Sequence, residues 1–357
     1  MYLCISIIRR IIKQMSHYST PYHIMKQDRI DSISLMRVLA MTMIVAFHSL
    51  LFYTETWWYF GGIIVPTWVH FAKFLNSLDL SMFVFISGFL FGWLHIYKGK
   101  YHDKHSFILS KVKRLIVPYL FWGCIMNLIQ PSLANWNDLL TGISHLWFLL
   151  MLFWVFCFII TIQRKLNDNI SNTKICLLLF IAYIVWLLYH QFSTHHYLLR
   201  LESALSYFPA FLIGYFCASK KIWLMSNNHA KTVLIIALAL LAFYCFSGQQ
   251  LPEYIDDILI RLLSYTIIIS LFIVLNEIKC PKRLFFYIER VDKLSMGVYI
   301  FNQIVVNYLL MNLVAREWLN IHYHIGPLVI FFFSILIPLC LSYAFNRIKW
   351  ISWTIGS

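Results

Sequence analysis

The sequence predicts an all-α polytopic membrane protein, a bundle of about ten transmembrane helices with both termini cytoplasmic. Hydrophobic residues make up 61% of the 357 residues and charged residues only 12%, with a mean hydropathy of +0.71. The apolar runs are continuous and long, which excludes the short alternating strands of a β-barrel. In addition, the basic residues are concentrated in every second loop along the chain.

The spans follow from runs of about 20 apolar residues. We place them near residues 33–54, 76–97, 107–130, 145–163, 175–190, 199–218, 231–247, 256–277, 293–314 and 325–346. We interpret the aromatic segment 56–75, which contains Gly61, Gly62 and Pro66, as a loop at the outer interface.

The basic residues cluster before the first span and after each even-numbered span, whereas the opposite loops hold only Lys73, Arg200 and Arg316. The positive-inside rule therefore places both termini in the cytoplasm. The net charge of +14 reflects this topology, so we expect membrane lipids as partners and no nucleic acid. We expect a multi-pass protein of the cell inner (plasma) membrane.

The predicted spans divide the chain into three regions. Residues 1–27 are an N-terminal cytoplasmic or interfacial segment, 28–346 form the ten-helix membrane domain, and 347–357 form a short cytoplasmic tail. The eight cysteines are scattered singly, and the fourteen histidines form no HExxH site, so we predict no metal.

The first span carries two ionisable side chains, Arg37 and His48, eleven residues apart. Eleven residues are close to three helical turns, so both leave the same helix face, about 16 Å apart along the axis. Ionisable residues inside a span are costly and indicate a functional site. The alternatives are an arginine that snorkels to the headgroups and a histidine that only bonds a neighbouring carbonyl.

Two further features point to binding. Lys111 and Arg114 are i,i+3 neighbours at the predicted cytoplasmic mouth, where they form either a phosphate clamp or an ordinary positive-inside flank. Ser87 precedes Gly88 in the second span, and such a small pair allows close helix packing or exposes backbone to a cavity.

Three other residues complete the candidates. Trp147 is expected at the outer interface, where an aromatic belt is the simplest role, and Glu202 at the outer end of the sixth span. Asn302 lies in the ninth span with Gln303 and Asn307, where inter-helix hydrogen bonding is the first explanation.

Five motifs occur in a fixed order, and together they resemble the integral-membrane acyltransferase family 3, whose members O-acylate cell-surface glycans and other substrates. They are RIDSISLMRVLAMTMIVAFH, FVFISGFL, KVKRLIVPYL, HLWFL and SMGVYIF, with YFPAFLIGY as a softer sixth. The resemblance extends over residues 28–346.

The resemblance implies roles for individual residues. His48 would be the essential histidine with Arg37 as its partner, and Lys111 and Arg114 would match the basic pair near the acyl-CoA site. Lys111 stands where the family usually has arginine, and Asn302 where many members have histidine.

The resulting hypothesis is acyl transfer from acetyl-CoA or another acyl-CoA, used as donor substrate, to a hydroxyl of a cell-surface or lipid-linked glycan. His48 would act as general base, and Arg37 would hold a donor phosphate or carbonyl or would orient the first helix. Ser87, Trp147, Glu202 and Asn302 are the candidates for substrate binding. The alternative is a transporter or flippase for a lipid-linked glycan, which many spans and intramembrane amides would also suit.

Overall fold

The computed structural model describes residues 31–54, 62–101, 103–129, 136–163, 166, 170–193, 197–222, 228–248, 251–278 and 280–356. These residues are almost entirely helical and form a bundle. Its helices are Asp31–Leu50 (α1), Pro66–Asn76 (α2), Asp79–Lys98 (α3), Lys104–Lys111 (α4), Val117–Ile129 (α5), Asp138–Thr141 (α6), Trp147–Ile162 (α7), Asn172–Phe192 (α8), Leu201–Ser219 (α9), Asn228–Phe246 (α10), Glu253–Glu277 (α11), Lys282–Met311 (α12), Leu313–Ile321 (α13) and Gly326–Arg347 (α14).

Ten helical segments within the described residues are long and apolar enough to cross a membrane, which confirms the all-α polytopic prediction. Each corresponds to one of the runs identified in the sequence. Local signals explain several ends: the Asp103 carboxylate caps α4 by accepting from the backbone N–H groups of His105 and Ser106, and Gly99 ends α3 with a φ of 59°.

Two boundaries differ from the sequence prediction. The interpretation of 56–75 as a loop is wrong over Pro66–Asn76, which forms α2, and residues 55–61 lie outside the described part. Proline at the first helical position has the φ that a helix requires, so Pro66 starts this helix rather than preventing it. Helix α12 begins at Lys282, eleven residues before the predicted start at 293, because the charged segment ahead of the apolar run is also helical.

Helices α3 and α9 pack with their backbones in close contact, because each presents a glycine to the other. A Cβ on Gly88 would lie 2.0 Å from the Phe211 carbonyl oxygen, and one on Gly214 would lie 2.0 Å from the Phe85 carbonyl oxygen. The Ser87-Gly88 pair therefore serves close packing, the first of its two sequence interpretations.

The segment after α14 packs against the bundle. Thr354 and Ile355 are buried in a short 3₁₀ helix, Ser352–Ile355, and the Trp122 indole donates a 2.9 Å hydrogen bond to the Thr354 carbonyl oxygen. Part of the predicted tail 347–357 is thus core structure.

The ion pair Asp257–Arg261, one turn apart in α11, has an Nε–Oδ2 distance of 2.6 Å. The guanidinium also donates to the carbonyl and hydroxyl oxygens of Ser206 in α9, at 2.7 Å each. This pair therefore joins α9 to α11.

Candidate functional site

The His48 imidazole is held by an amide of α12. Its Nδ1 lies 2.6 Å from Oδ1 of Asn302, and both side chains are buried. Asn302 Nδ2 donates to the carbonyl oxygens of Val298 and Tyr299, at 3.2 Å and 2.6 Å, so the amide turns its oxygen toward the histidine. An amide oxygen only accepts, so Nδ1 carries the proton and Nε2 keeps its lone pair.

A second buried histidine stands beside the first. The His145 and His48 rings meet edge to face with centroids 6.0 Å apart. His145 Nε2 donates to the Ile300 carbonyl oxygen at 3.0 Å, and its Nδ1 is buried with no hydrogen-bond partner in the described structure. Tyr299 donates its hydroxyl to the His145 carbonyl oxygen, which fixes the start of α7 against α12.

Arg37 forms an ion pair with a buried carboxylate of α12. Its Nη1 lies 2.7 Å from Oδ1 of Asp292, and the side chains are 26% and 4% exposed. The pair is charged and hydrogen-bonded, which offsets the cost of removing the carboxylate from water.

These two contacts show that α1 and α12 run in the same direction. Residues 37 and 48 of α1 meet residues 292 and 302 of α12, so both side chains leave the face of α1 that packs on α12. This is the shared face that the eleven-residue spacing predicts. We call the end of the bundle where α1 finishes and α7 and α9 begin the outer end, following the prediction from loop charges.

Lys111 and Arg114 lie near each other but contact different groups. The Lys111 ammonium lies over the rings of Phe156, Phe107 and Tyr101, at 3.9, 5.1 and 6.0 Å from their centroids. Burial raises the pKa of the Tyr101 phenol above its ordinary value, so this ring stays neutral beside the cation.

Arg114 is exposed and donates its Nε–H to the Gly356 carbonyl oxygen at 3.2 Å. Arg114 lies within a π-helical turn, Val112–Ile116, that directly follows Lys111, so the segment that carries the two cations is not a regular α-helix.

The other candidates are distributed over the outer half of the bundle. Trp147 directly follows the 3₁₀ turn Ser144–Leu146 that carries His145, and its ring lies 5.2 Å from the guanidinium carbon of Arg200. Glu202 accepts a 2.6 Å hydrogen bond from His190 Nδ1 of α8. Ser87 lies on α3, next to the glycine that contacts α9.

Sequence reasoning missed three residues of this site: His145, Asp292 and Tyr299. His145 opens the HLWFL motif, and a histidine in a motif is the signal that could have identified it; its position at the start of the span predicted near 145–163 indicates only an interfacial residue. No local pattern joins Asp292 to Arg37, since 255 residues separate them. Among the described residues, no three His, Cys, Asp or Glu side chains are placed to hold a metal ion.

Comparison with known proteins gives one match. A family model of acyltransferase family 3, described as an acyltransferase domain, matches residues 30–347. No curated protein and no solved structure matches the chain.

Proposed function

Because the chain belongs to acyltransferase family 3 and is a multi-pass membrane acyltransferase, we propose that it O-acylates a glycan. The donor is an acyl-CoA, with acetyl-CoA as the simplest case, and the acceptor is a hydroxyl of a cell-surface or lipid-linked glycan in the plasma membrane. Family membership favours this enzyme over the transporter hypothesis. The observation that carries the mechanism is the hydrogen bond between His48 Nδ1 and Asn302 Oδ1.

That hydrogen bond prepares His48 as a general base. With the proton on Nδ1, Nε2 accepts the proton of the acceptor hydroxyl while the hydroxyl oxygen attacks the thioester carbonyl carbon. The carbon–sulfur bond then breaks, and the proton on Nε2 passes to the departing CoA sulfur. The products are the glycan ester and free CoA, and the imidazole returns to its neutral form.

The neighbouring groups assist by fixing geometry. Asn302 holds one tautomer because its own N–H groups are committed to Val298 and Tyr299, so it cannot rotate without breaking those bonds. The second imidazole, His145, crowds the first edge to face and limits its rotation. Because the base is already held in one orientation, aligning it in the transition state costs less free energy.

The donor is proposed to enter from the end opposite His48. Lys111 and Arg114 would meet the phosphates of CoA, and Arg37 lies about three helical turns from His48, toward the start of α1. The Asp292 carboxylate keeps the Arg37 guanidinium in place on the shared face of α1. Donor and acceptor would then meet at His48 from opposite sides of the bundle.

The test uses membranes from cells that produce the full chain, incubated with acetyl-CoA labelled in the acetyl group. We expect labelled ester in the glycan or lipid-linked glycan fraction with the wild type and none with His48→Ala. The matched control is His324→Ala, because His324 is exposed and follows α13 rather than facing the bundle interior. Label transfer by a folded His48→Ala protein would exclude the general base.

A further inference from the structure

One arginine at the outer end has neither a hydrogen bond nor an ion pair among the described residues. The Arg200 guanidinium carbon lies 5.2 Å from the centroid of the Trp147 ring and 5.1 Å from that of Tyr197. Its Nε is buried and has no acceptor. The carboxylates of Asp138 and Glu202 are close enough to interact electrostatically with the guanidinium, but among the described residues neither forms an ion pair with it, and Glu202 accepts a hydrogen bond from His190. Stacking on aromatic faces leaves the in-plane N–H groups of a guanidinium able to donate, and because Nε is buried, the two Nη groups are the donors that remain for a ligand.

The backbone around Arg200 holds this side chain at an energetic cost. Leu199 and Arg200 have φ angles of 49° and 55°, and Ser144 has 43°; these are three of the five non-glycine residues with positive φ in the described structure. Such conformations are energetically unfavourable for residues with a Cβ and concentrate at ligand sites. The strained residues meet at one place, because Arg200 packs on the segment that carries Ser144.

The same segment leads to His145, the imidazole that packs against the proposed base His48. A Cβ on Gly142 would lie 2.6 Å from Arg200 Nε, so only glycine leaves room for the guanidinium there. Three residues further along the chain, the His145 ring meets the His48 ring. Arg200 thus lies at the end of the bundle from which the acceptor is proposed to approach His48.

We propose that Arg200 binds an oxyanion of the acceptor, so that the enzyme prefers anionic glycans. This inference deepens the proposed function and rests on it. A carboxylate of an acidic sugar and a phosphate of a phosphorylated or lipid-linked glycan share the planar pairs of oxygens that a guanidinium binds with two hydrogen bonds. The Trp147 ring packs against the guanidinium of Arg200, which gives this candidate residue a defined place in the proposed acceptor site.

The alternative role for Arg200 is structural, as a cation that only packs between two rings. The two roles differ in one measurable property. A structural arginine changes the amount of folded protein or the overall rate, whereas an anion-binding arginine changes the difference in affinity between a charged and a neutral sugar.

The experiment measures transfer of labelled acetyl groups in membranes that hold the full chain, in the presence of three competitors. Methyl glucuronide carries a carboxylate, glucose 1-phosphate carries a phosphate, and methyl glucoside is the neutral analogue. The variants are Arg200→Gln and Arg200→Lys. Arg316→Gln is the matched control, because it also removes a cation from a predicted outer loop. Size-exclusion chromatography of each purified variant verifies folding.

With the wild type and Arg316→Gln, we expect at least one anionic competitor to inhibit at a concentration about tenfold below that of methyl glucoside. The reason is that the anion gains a charge-assisted hydrogen bond to the guanidinium that the neutral sugar cannot form. Arg200→Gln should remove this difference, and Arg200→Lys, which keeps the charge and loses the bidentate geometry, should reduce it. The more potent of the two anions identifies the source of the oxyanion.

Three results would overturn the inference: equal inhibition of the wild type by all three sugars, an unchanged preference in Arg200→Gln, or loss of the preference in Arg316→Gln. If Arg200→Gln does not fold, an undiminished preference in Arg200→Lys overturns it. Wild-type membranes that transfer no label to any glycan would overturn the proposed function and the anion site together. If instead the wild-type membranes transfer label but show no charge preference, only the anion site is overturned.

Discussion

Asn302 and His48 are joined by a hydrogen bond of 2.6 Å across 254 residues of sequence. The Nδ2 group of the same amide donates to two carbonyl oxygens of its own helix, one turn earlier. The consequence is an imidazole with one tautomer and one orientation in a buried site. The amide orients the imidazole without a titratable side chain at position 302.

Replacing Asn302 by Ala should therefore lower turnover without unfolding the protein. The loss of a buried hydrogen bond costs about 1–2 kcal/mol, and if that free energy is required for alignment the rate falls about 5- to 30-fold. The measurement is the initial rate of label transfer at saturating acetyl-CoA.

Two variants sharpen this prediction. Asn302→Asp keeps an acceptor for the Nδ1 proton but places a second oxygen against the Val298 and Tyr299 carbonyl oxygens, so it should not restore the wild-type rate. Asn320→Ala, in α13, removes the amide of a half-buried residue and is the control for amide removal. Equal rates for wild type and Asn302→Ala would show that the tautomer is not set by this bond.

Close packing of α3 and α9 predicts that Gly88→Ala lowers stability. The added Cβ would lie 2.0 Å from the Phe211 carbonyl oxygen, and backbone atoms cannot move aside as a side-chain tip can. Overpacking of this kind costs about 1–3 kcal/mol. We expect an apparent melting temperature several degrees lower for the protein purified in detergent.

The matched control for Gly88 is Gly123→Ala. There the new Cβ would meet only side-chain methyl groups of Ile143 and Leu139, at 3.0 and 3.1 Å, which can adjust. If both variants melt at the same temperature, the close approach of the two backbones does not limit stability.

The third prediction concerns Lys111 and donor recognition. Lys111→Met keeps a side chain that fills the space among Phe156, Phe107 and Tyr101 and removes the charge. If the ammonium contributes to phosphate binding, KM for acetyl-CoA should rise about tenfold, as expected for loss of one charge-assisted hydrogen bond. The fold should be maintained, because thioether and aromatic groups pack well.

A donor without phosphates separates binding from packing. The acetyl thioester of N-acetylcysteamine should be used equally well by wild type and Lys111→Met. Lys113→Met is the control, since Lys113 is an exposed cation two residues away. A rise in KM for both donors would assign Lys111 a purely structural role.

Several features of this fold can be predicted from the sequence alone. Apolar runs determine where the helices form, because a lipid-embedded backbone must satisfy its hydrogen bonds within each segment. The spacing of Arg37 and His48 determines that they share a face, because helical geometry is independent of neighbours. Errors occur where a helix is not wholly apolar, as in α2 and at the start of α12.

The sequence alone therefore determined the helical class, the ten spans, the family and the two ionisable groups of α1. Only the tertiary structure decided that Asn302 and Asp292 hold those groups, that His145 joins them, and that Arg200 lies stacked on Trp147 with its edge unpaired. The physical reason is that helix formation depends on local hydrogen bonds and hydrophobicity. Partner choice between helices depends instead on contacts across more than 50 residues of sequence, for which no local pattern codes.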